Sequence, residues 1–392
     1  MRDAYIVTSL RTPGCRRAKG SFKDTRPEDL LGFILNAAVE RTPNLEKKFV
    51  DDVMIGCSFP EAEQGLNIAR LVTQIAGFPV EVSGATVNRF CSSGIEAIAL
   101  ASLRVMAGWS EIVIGGGIES MTYVPMGGNM PRPHPEHTKK HPDLYTSMGI
   151  TAENVAKRYK ISREDQDAFA FQSHAKAAEA TGKKLFTELV PTPAAKFVLQ
   201  KDGAYKKETF TVEYDDGIRA DTTVEGLAKL KPVFAADGSV TAGNSSQTTD
   251  GAAAAIIMSE AKVKELGLKP VAKLKYYTTV GCQPDEMGVG PRYAIPKLLD
   301  IAGMKLADIG LFEINEAFAS QAIYCVRELG IDMSKVNIHG GAIALGHPLG
   351  CTGAKLCATL LANMKERGVK YGVESMCIGG GMGAAALFEL CD

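Results

Sequence analysis

The sequence lacks any uninterrupted apolar run long enough to span a bilayer, and residues 1–7 lack the apolar core of a signal peptide. It also lacks an excess of either charge, because 44 basic and 45 acidic side chains leave a formal net charge of -1. A chain without a basic bias is not expected to bind nucleic acid. These absences predict a globular protein with no membrane insertion and no nucleic-acid partner, in which local basic groups are still available to an anionic ligand.

Cysteine pairs at the CxxC spacing are missing as well. The nine cysteines lie at positions 15, 57, 91, 282, 325, 351, 357, 377 and 391. An odd number without this spacing argues against a disulfide framework and against a zinc ribbon, so we expect a reducing, cytoplasmic compartment. His134, His137 and His141 lie in a proline-rich stretch without a cysteine or carboxylate pattern, and we interpret them as solvated loop histidines with no metal bound.

The 392 residues are 45% hydrophobic and 23% charged, which is enough for a large core and more than one subdomain. Strand-like and helix-like segments alternate first, then prolines and glycines interrupt the pattern, and a second alternating unit follows. We predict an N-terminal half over residues 1–118, completed by about 249–268, an inserted loop subdomain over 119–248 and a C-terminal half over 269–392.

Several predicted elements determine where the site would lie. Residues 111–114 form a predicted strand that leads into Gly115-Gly116-Gly117, where the backbone must approach a neighbour closely or turn. The pattern predicts a helix over 315–329 and a last strand over 371–376. In the insertion, a helix over 163–180 is predicted with Ser162 as its cap.

The two halves share an internal repeat. Cys91-Ser-Ser-Gly is followed by a helix, a strand and a run of three glycines, and Cys351-Thr-Gly is followed by the same series. This repeat predicts an α/β fold in which two similar βα halves pack together with helices between sheets. A shared site would lie at their junction, where helix N-termini from each half converge.

Cys91 lies where an apolar lead-in gives way to small residues and a helix-forming run over 95–103. Unpaired N–H groups and the positive end of a helix dipole favour an anion there, so we expect this sulfur to ionise more easily than a free cysteine. The thiolate would be a nucleophile. The alternative is a buried structural thiol beside a tight turn.

Three other side chains lie at predicted strand-to-helix turns. His347, between a glycine and a proline, is the preferred base for a thiol nucleophile, with His339 as the second choice. Cys377, before three glycines, is placed to move a proton to or from carbon, and Asn315 is a candidate polar group. Taken singly, His347 is also interpretable as a turn histidine, Cys377 as a core thiol and Asn315 as a helix cap. Together with Cys91, the three residues indicate a catalytic site far more specifically than any one of them does.

These segments together resemble the signature blocks of the thiolase family. The blocks are residues 88–94 around Cys91, 116–121, 315–319 around Asn315, 340–350 around His347 and 377–381 around Cys377. Residues 124–129 and 217–223 are more similar to the degradative 3-ketoacyl-CoA thiolases than to the biosynthetic acetoacetyl-CoA enzymes. The resemblance implies a duplicated thiolase fold, a layered αβαβα sandwich with an inserted loop subdomain.

The resemblance also implies a reaction. His347 would take the proton of Cys91, which attacks the 3-keto carbon of a 3-ketoacyl-CoA, and Cys377 would protonate the departing acetyl-CoA enolate. Incoming CoA would then lose its thiol proton to Cys377 and release the shortened acyl chain. One oxyanion pocket of the family maps to His347 with a water held by Asn315, and the other to main-chain N–H groups of Cys91 and Gly379.

CoA would act as a co-substrate, and no covalently bound cofactor is implied. Where biosynthetic relatives carry a serine and a histidine near CoA, this chain has Gly226 and Ser147, which fits a pocket not specialised for an acetoacetyl group. The family contacts to CoA map to Arg219 and Ser246, and Met148 is a further candidate contact. Phe234 and Phe318 are candidates to line the path of the adenine and the pantetheine arm, and the alternative is that both are core residues.

The predicted function is that of a 3-ketoacyl-CoA thiolase, an acyltransferase of fatty acid β-oxidation; the alternative is an acetoacetyl-CoA thiolase running in the condensing direction. A decarboxylating ketoacyl synthase would not need Cys377, and a non-catalytic acyl-CoA-binding protein would need none of Cys91, His347 and Cys377. We expect 3-ketoacyl-CoA and CoA as ligands and a homodimer or homotetramer. A multifunctional β-oxidation protein is a further candidate partner.

Overall fold

A computed structural model describes residues 2–391, so Met1 and Asp392, the outer ends of the two predicted halves, lie outside the described residues. The strands are β1 (Ala4–Arg11), β2 (Cys15–Arg16), β3 (Asp52–Gly56), β4 (Ser83–Val87), β5 (Ile112–Ser120), β6 (Thr192–Leu199), β7 (Tyr205–Val212), β8 (Thr249–Ser259), β9 (Ala272–Gly281), β10 (Leu311–Ile314), β11 (Tyr371–Ile378) and β12 (Met382–Leu390). The α-helices are α1 (Pro27–Glu40), α2 (Ile68–Ile75), α3 (Ser93–Met106), α4 (Pro135–Lys140), α5 (Met148–Arg158), α6 (Arg163–Gly182), α7 (Val224–Ala228), α8 (Glu260–Glu265), α9 (Gly290–Ala302), α10 (Ala319–Leu329), α11 (Ala342–Leu345) and α12 (Leu349–Arg367).

Two groups of strands form the framework of the molecule. The first runs in the spatial order β4-β3-β5-β8-β1 and the second in the order β9-β12-β11-β10. They join where β1 and β9 pair through a single residue pair, Ile6 and Ala272. The hairpin of β6 and β7 forms a separate two-stranded sheet. The groups reproduce the predicted duplication, and the boundaries at 118 and 269 stay predictions.

Helices α3 and α12 pack against each other between the two groups of strands. Alternate residues of β8 point to opposite faces: Ala253, Ala255 and Ile257 share a core with α3 and α12, whereas Ala254 and Ile256 share one with α1 and α2. Helix α9 covers the outer face of β10, β11 and β12. The result is the layered α/β sandwich that the repeat predicts.

The central helices approach each other without intervening side chains. A Cβ added to Gly94 in α3 would lie 2.6 Å from the backbone N of Ala354, and a Cβ added to Gly353 in α12 would lie 2.4 Å from the backbone N of Ile95. Strand β5 also approaches α12, because a Cβ on Gly117 would lie 2.4 Å from a backbone oxygen. The predicted close approach at these glycines is confirmed, and the strand continues through them to Ser120.

Two element predictions were wrong in ways that matter for the site. The predicted helix over 315–329 begins only at Ala319, because Phe318 is extended and pairs with Ser245. Strand β11 is not the last strand, since β12 returns antiparallel beside it. The helix over 163–180 is confirmed as α6, with the Ser162 hydroxyl accepting the N–H of Asp165 at 3.0 Å. Within residues 2–391, no helix combines the length and the apolar character needed to cross a bilayer.

Candidate active site

One cavity of about 170 Å³ brings together three side chains that the sequence analysis singles out, Cys91, His347 and Cys377. They come from the start of α3, the turn before α12 and the end of β11, which belong to different halves of the repeat. Two thiols and an imidazole therefore share one space. The other lining residues are Met121, Met126, Ser147, Met148, Gly149, Phe234, Ser245, Ser246, Gln247, Thr248, Ala317, Phe318 and Leu349.

A sharp turn presents Cys91 to this cavity. Phe90 has φ +43°, a left-handed conformation that is costly for an aromatic residue, and Asn88 Oδ1 supports it by accepting the Phe90 N–H at 2.9 Å. Ser93 accepts the N–H of Arg89 at 2.8 Å. Cys91 lies in this turn, two residues before Ser93, the first residue of α3, and thus at the predicted helix N-terminus.

The ionisation of Cys91 differs from the prediction. Burial raises the pKa of this thiol to about 12, although the backbone N–H groups of Gly379 and of Cys91 itself act in the opposite direction. The expectation of an easily ionised sulfur was wrong, because loss of hydration outweighs the effect of the helix terminus. Cys91 is therefore a protonated thiol that needs a base.

His347 has the properties of such a base. Burial, with a further effect from the Lys355 ammonium, lowers the pKa of the imidazole to about 3, so the ring is neutral at physiological pH. Its Nδ1 lies 2.6 Å from Thr352 Oγ1 and its Nε2 lies 3.3 Å from Asn315 Nδ2. His339, the second choice as base, instead lies 2.7 Å from Glu366 and does not line the cavity.

Lys355 supports the turn that carries His347. Its buried Nζ donates to the carbonyl oxygens of Leu345 at 2.6 Å and of Gly346 at 2.8 Å. Burial lowers the pKa of this ammonium to about 8. The sequence gives no sign of this role, because a lysine in the middle of a helix is ordinarily on a solvated face.

Cys377 lies at the end of β11 and is fully buried. Its thiol donates to Gln321 Oε1 at 3.7 Å. Burial raises the pKa of Cys377 well above that of a free thiol, and the nearby Cys91 sulfur raises it further. A second protonated thiol next to the first has a proton to give at the same place.

Asn315 and Gly379 adjoin the cavity without lining it. Asn315 follows β10 and is held to β11 by its N–H, which donates to the Ser375 carbonyl at 2.9 Å. Its amide reaches His347, and its Oδ1 is buried with no hydrogen-bond partner among the described residues. Gly379 follows β11 and directs its N–H to the sulfur of Cys91.

Four of the five predicted CoA contacts line the cavity, namely Ser246, Phe234, Phe318 and Met148. Phe234 is partly exposed, and its ring meets the Phe318 ring edge-on with centroids 6.0 Å apart. Arg219 does not line it; this residue is exposed, and its backbone N–H donates to His174 at 3.2 Å. The contacts themselves stay predictions.

Two buried carboxylates, Glu119 and Glu316, hold segments around the site together and were not predicted from the sequence. Glu119 accepts backbone N–H groups from Ser58 at 2.9 Å and from Gly350 at 2.7 Å. Glu316 accepts the Ser173 hydroxyl at 2.6 Å and the Asn337 amide at 2.9 Å. Glu119 lies in the family block 116–121 and Glu316 in the block 315–319. Their position in these blocks is the feature of the sequence that could have identified them.

The three histidines interpreted as loop residues are exposed, but they belong to a short helix: His137 lies within α4, and His134 and His141 flank its two ends. The rings of His134 and His137 have centroids 4.6 Å apart, and those of His137 and His141 are 6.3 Å apart. Across the part of the chain that the structure describes, no group of three or more His, Cys, Asp or Glu side chains is arranged to hold a metal ion.

Comparison with known proteins covers the whole chain. Residues 4–261 match the family description "Thiolase, N-terminal domain" and residues 268–390 match "Thiolase, C-terminal domain". The chain is 50% identical to a 3-ketoacyl-CoA thiolase of Bacillus subtilis, over 100% of both sequences. It is 48% identical to the peroxisomal 3-ketoacyl-CoA thiolase B of Mus musculus, over 99% of this chain and 91% of the mouse protein.

Solved structures give the same result. The Bacillus anthracis acetyl-CoA acetyltransferase superposes with a TM-score of 0.88 at 38% identity, covering 100% of this chain and 99% of that one. The dimeric peroxisomal thiolase of Saccharomyces cerevisiae superposes with a TM-score of 0.87 at 39% identity, covering 99% and 97%.

Proposed function

The chain belongs to the thiolase family and is an acyltransferase, and we propose that it cleaves 3-ketoacyl-CoA with CoA to give acetyl-CoA and a shortened acyl-CoA. The observation that carries this proposal is the single cavity in which a neutral imidazole lies with two buried thiols. The full-length similarity to 3-ketoacyl-CoA thiolases supports the degradative reaction over acetoacetyl-CoA synthesis.

The first step forms an acyl-enzyme. His347 Nε2 takes the proton of the Cys91 thiol, and the sulfur attacks the 3-keto carbon of the substrate. The negative charge that develops on the keto oxygen is placed near the N–H groups of Cys91 and Gly379, which need no reorganisation because the backbone fixes them. The proximity of the Gly379 N–H to the sulfur supports this placement.

The second step breaks the bond between the second and third carbons. Its electron pair leaves with acetyl-CoA as an enolate, whose oxygen is stabilised by His347 and by a water held on Asn315. Cys377 gives its proton to the enolate carbon and becomes a thiolate. The shortened acyl group stays on Cys91 as a thioester.

The third step restores the enzyme. The Cys377 thiolate takes the thiol proton of incoming CoA, and the CoA sulfur attacks the acyl group on Cys91. Cys91 leaves as a thiolate and recovers its proton from the His347 imidazolium. Protons balance over the cycle, and both thiols end as they began.

CoA itself is proposed to bind along the cavity wall formed by Ser246, Phe234, Phe318 and Met148. The apolar rings and the methionine suit the pantetheine arm, and the hydroxyl offers a hydrogen bond. Arg219 is exposed outside this wall, where its charge suits the phosphorylated end of CoA.

The assay that tests the proposal follows thiolysis directly. The purified protein is given 3-ketoacyl-CoAs of graded chain length with free CoA, loss of the 3-ketoacyl thioester absorbance is recorded, and the products are identified by mass spectrometry. We expect acetyl-CoA and an acyl-CoA two carbons shorter, and no reaction from Cys91→Ala. Activity confined to the four-carbon substrate would favour the acetoacetyl-CoA enzyme, and no thiolysis at any length would refute the proposal.

We also propose a homodimer that forms along β4. This strand ends its group, and within residues 2–391 no other strand pairs with its outer edge. Leu66 is 87% exposed and Val80 is 67% exposed near this edge, together with half-exposed Leu71 and Ile75. Sedimentation of the wild-type protein should give a dimer and Leu66→Asp should weaken it; a wild-type monomer at micromolar concentration would overturn this assignment. A tetramer and a multifunctional β-oxidation partner stay predictions.

A cytoplasmic location is the remaining part of the proposal. The eight cysteines from Cys15 to Cys377 carry free thiols, which fits a reducing compartment. Fractionation of the source cells with detection by a specific antibody tests the location, and recovery in a membrane-bounded organelle would contradict it.

A further inference from the structure

The hydrogen bonds of His347 contain information about which of its nitrogens is the base. Its Nδ1 lies 2.6 Å from the hydroxyl oxygen of Thr352, in the first turn of α12. The same hydroxyl donates to the Pro348 carbonyl at 3.0 Å. Thr352 is 1% exposed and His347 is 4% exposed, so the two side chains have little access to solvent.

The threonine has a single hydroxyl hydrogen. When that hydrogen is donated to Pro348, only a lone pair is left for His347, so Nδ1 must carry a proton and donate it. The neutral ring then has its lone pair on Nε2. In the amide orientation of this structure, with Asn315 Nδ2 3.3 Å from Nε2 and Oδ1 turned away, Asn315 can only donate to that lone pair. In that orientation both contacts agree on the same tautomer.

The local sequence fixes this arrangement. Pro348 caps α12, and Thr352 comes four residues later, where a threonine hydroxyl can bond back to the carbonyl one turn earlier. A β-branched side chain has few allowed rotamers in a helix, and this bond selects one of them. The bond to the Pro348 carbonyl thereby holds the hydroxyl oxygen within hydrogen-bond distance of His347 Nδ1 before any substrate binds.

We infer that Thr352 is a positioning residue that holds His347 in the tautomer with hydrogen on Nδ1, so that Nε2 faces Cys91 as the base. This inference rests on the proposed function for its catalytic consequence. After the proton transfer, Nδ1 still donates to Thr352 and the new Nε2–H is available to an oxyanion. The imidazole therefore acts first as a base and then as a hydrogen-bond donor through the same nitrogen, and the ring does not have to flip.

The test compares Thr352→Val, which keeps the shape and removes the hydroxyl, with Thr352→Ser, which keeps the hydroxyl. Protein labelled with ¹⁵N-histidine shows by NMR which ring nitrogen of His347 carries hydrogen, with His347→Gln used to assign the signals. We expect hydrogen on Nδ1 in the wild-type protein and in Thr352→Ser, and a mixture of tautomers in Thr352→Val. Alkylation of Cys91 at neutral pH should slow at least about tenfold in the valine variant and less than about threefold in the serine variant.

The inference is overturned if wild-type His347 carries hydrogen on Nε2, a result that requires no variant to fold. It is also overturned if Thr352→Val keeps the wild-type tautomer and alkylation rate, or if Thr352→Ser is as slow as Thr352→Val. The NMR and alkylation measurements need no thiolysis, so failure of the proposed reaction would be seen separately in the assay with 3-ketoacyl-CoA.

Discussion

The carboxylate of Glu119 accepts the backbone N–H of Gly350 at 2.7 Å, which links β5 of the first half to the first turn of α12 in the second. The same carboxylate accepts the Ser58 N–H and the amide of Gln64 at 2.8 Å. One fully buried side chain therefore satisfies donors from both halves of the repeat.

Replacing Glu119 by glutamine should lower the free energy of unfolding by about 1–3 kcal/mol. The amide has one acceptor oxygen where the carboxylate has two, so at least one buried N–H loses its partner. Chemical denaturation at pH 7 measures this change. Glu111→Gln, at the residue just before β5 and half exposed, is the control, and equal stability losses in the two variants would contradict the special place of Glu119.

Removal of the imidazole in His347→Gln should slow alkylation of Cys91 by about 10²-fold or more at pH 7, because the thiol has a pKa of about 12 and loses its base. Mass spectrometry after timed iodoacetamide treatment gives the rate. An unchanged rate would refute the activation of Cys91 by His347.

The pH dependence of wild-type alkylation provides a further check. Since the pKa of His347 is lowered to about 3, the imidazole is already neutral at pH 5 and does not titrate between pH 5 and 8. The rate profile should therefore show no inflection near pH 6.5. An inflection there, absent from His347→Gln, would mean that the ring is hydrated in solution.

Replacing Cys377 by alanine should leave Cys91 open to alkylation but lower thiolysis by about 10²–10⁴-fold, the range expected when a positioned proton donor is lost. Cys282→Ser changes a half-buried thiol outside the cavity and should keep near wild-type turnover. Normal thiolysis in Cys377→Ala would count against its role as the acid.

Lys355→Met should raise the pKa of His347, since the ammonium is one cause of its lowering. It should also loosen the turn, because the carbonyls of Leu345 and Gly346 lose their donor. NMR titration measures the pKa of His347. The rate of thiolysis reports on the turn, and this rate should fall when the turn that carries His347 is loosened. Lys365→Met, exposed in the same helix, is the control and should change neither.

Glu374 is buried with no hydrogen-bond partner for either oxygen among the described residues, and burial raises its pKa well above 4.5. A raised folded-state pKa stabilises the fold fully below the unfolded value, and this contribution is lost as pH rises toward the folded value. Glu374→Gln cannot ionise, so its stability relative to wild type should increase from pH 4.5 to pH 7, by up to about 1.4 kcal/mol per pH unit. Denaturant unfolding at several pH values tests this, and a constant difference would show that Glu374 is ionised in the folded state.

Much of the site follows from sequence because its residues stand at the ends of regular elements. The small residues after Cys91 predict the start of α3, and the glycines at 115–117 predict the close approach that Gly117 makes to α12. The family blocks then identify which ends belong together. These features depend on residues that are neighbours in the sequence, so the sequence alone is enough to predict them.

The rest depends on contacts that are distant in sequence. The extended backbone at Phe318 is set by pairing with Ser245, and no local pattern predicts it. The pKa of Cys91 depends on how completely other segments exclude water, which reverses the effect expected from a helix N-terminus. Strand β12 escaped prediction because its run of alanines lacks the alternation of a half-buried strand.

The contact of α3 with α12 at Gly94 and Gly353 has a consequence for how such an enzyme can change. The spacing of the two central helices, which follow Cys91 and His347 in the chain, is limited by two positions that carry no side chain. An added methyl group would lie 2.6 Å (from Gly94) or 2.4 Å (from Gly353) from a backbone nitrogen of the other helix and would push the helices apart, although every reacting group would be kept. Evolution toward new substrates is therefore expected to change the cavity wall and the loops. Gly94 and Gly353, where the two helices touch, are expected to stay glycine.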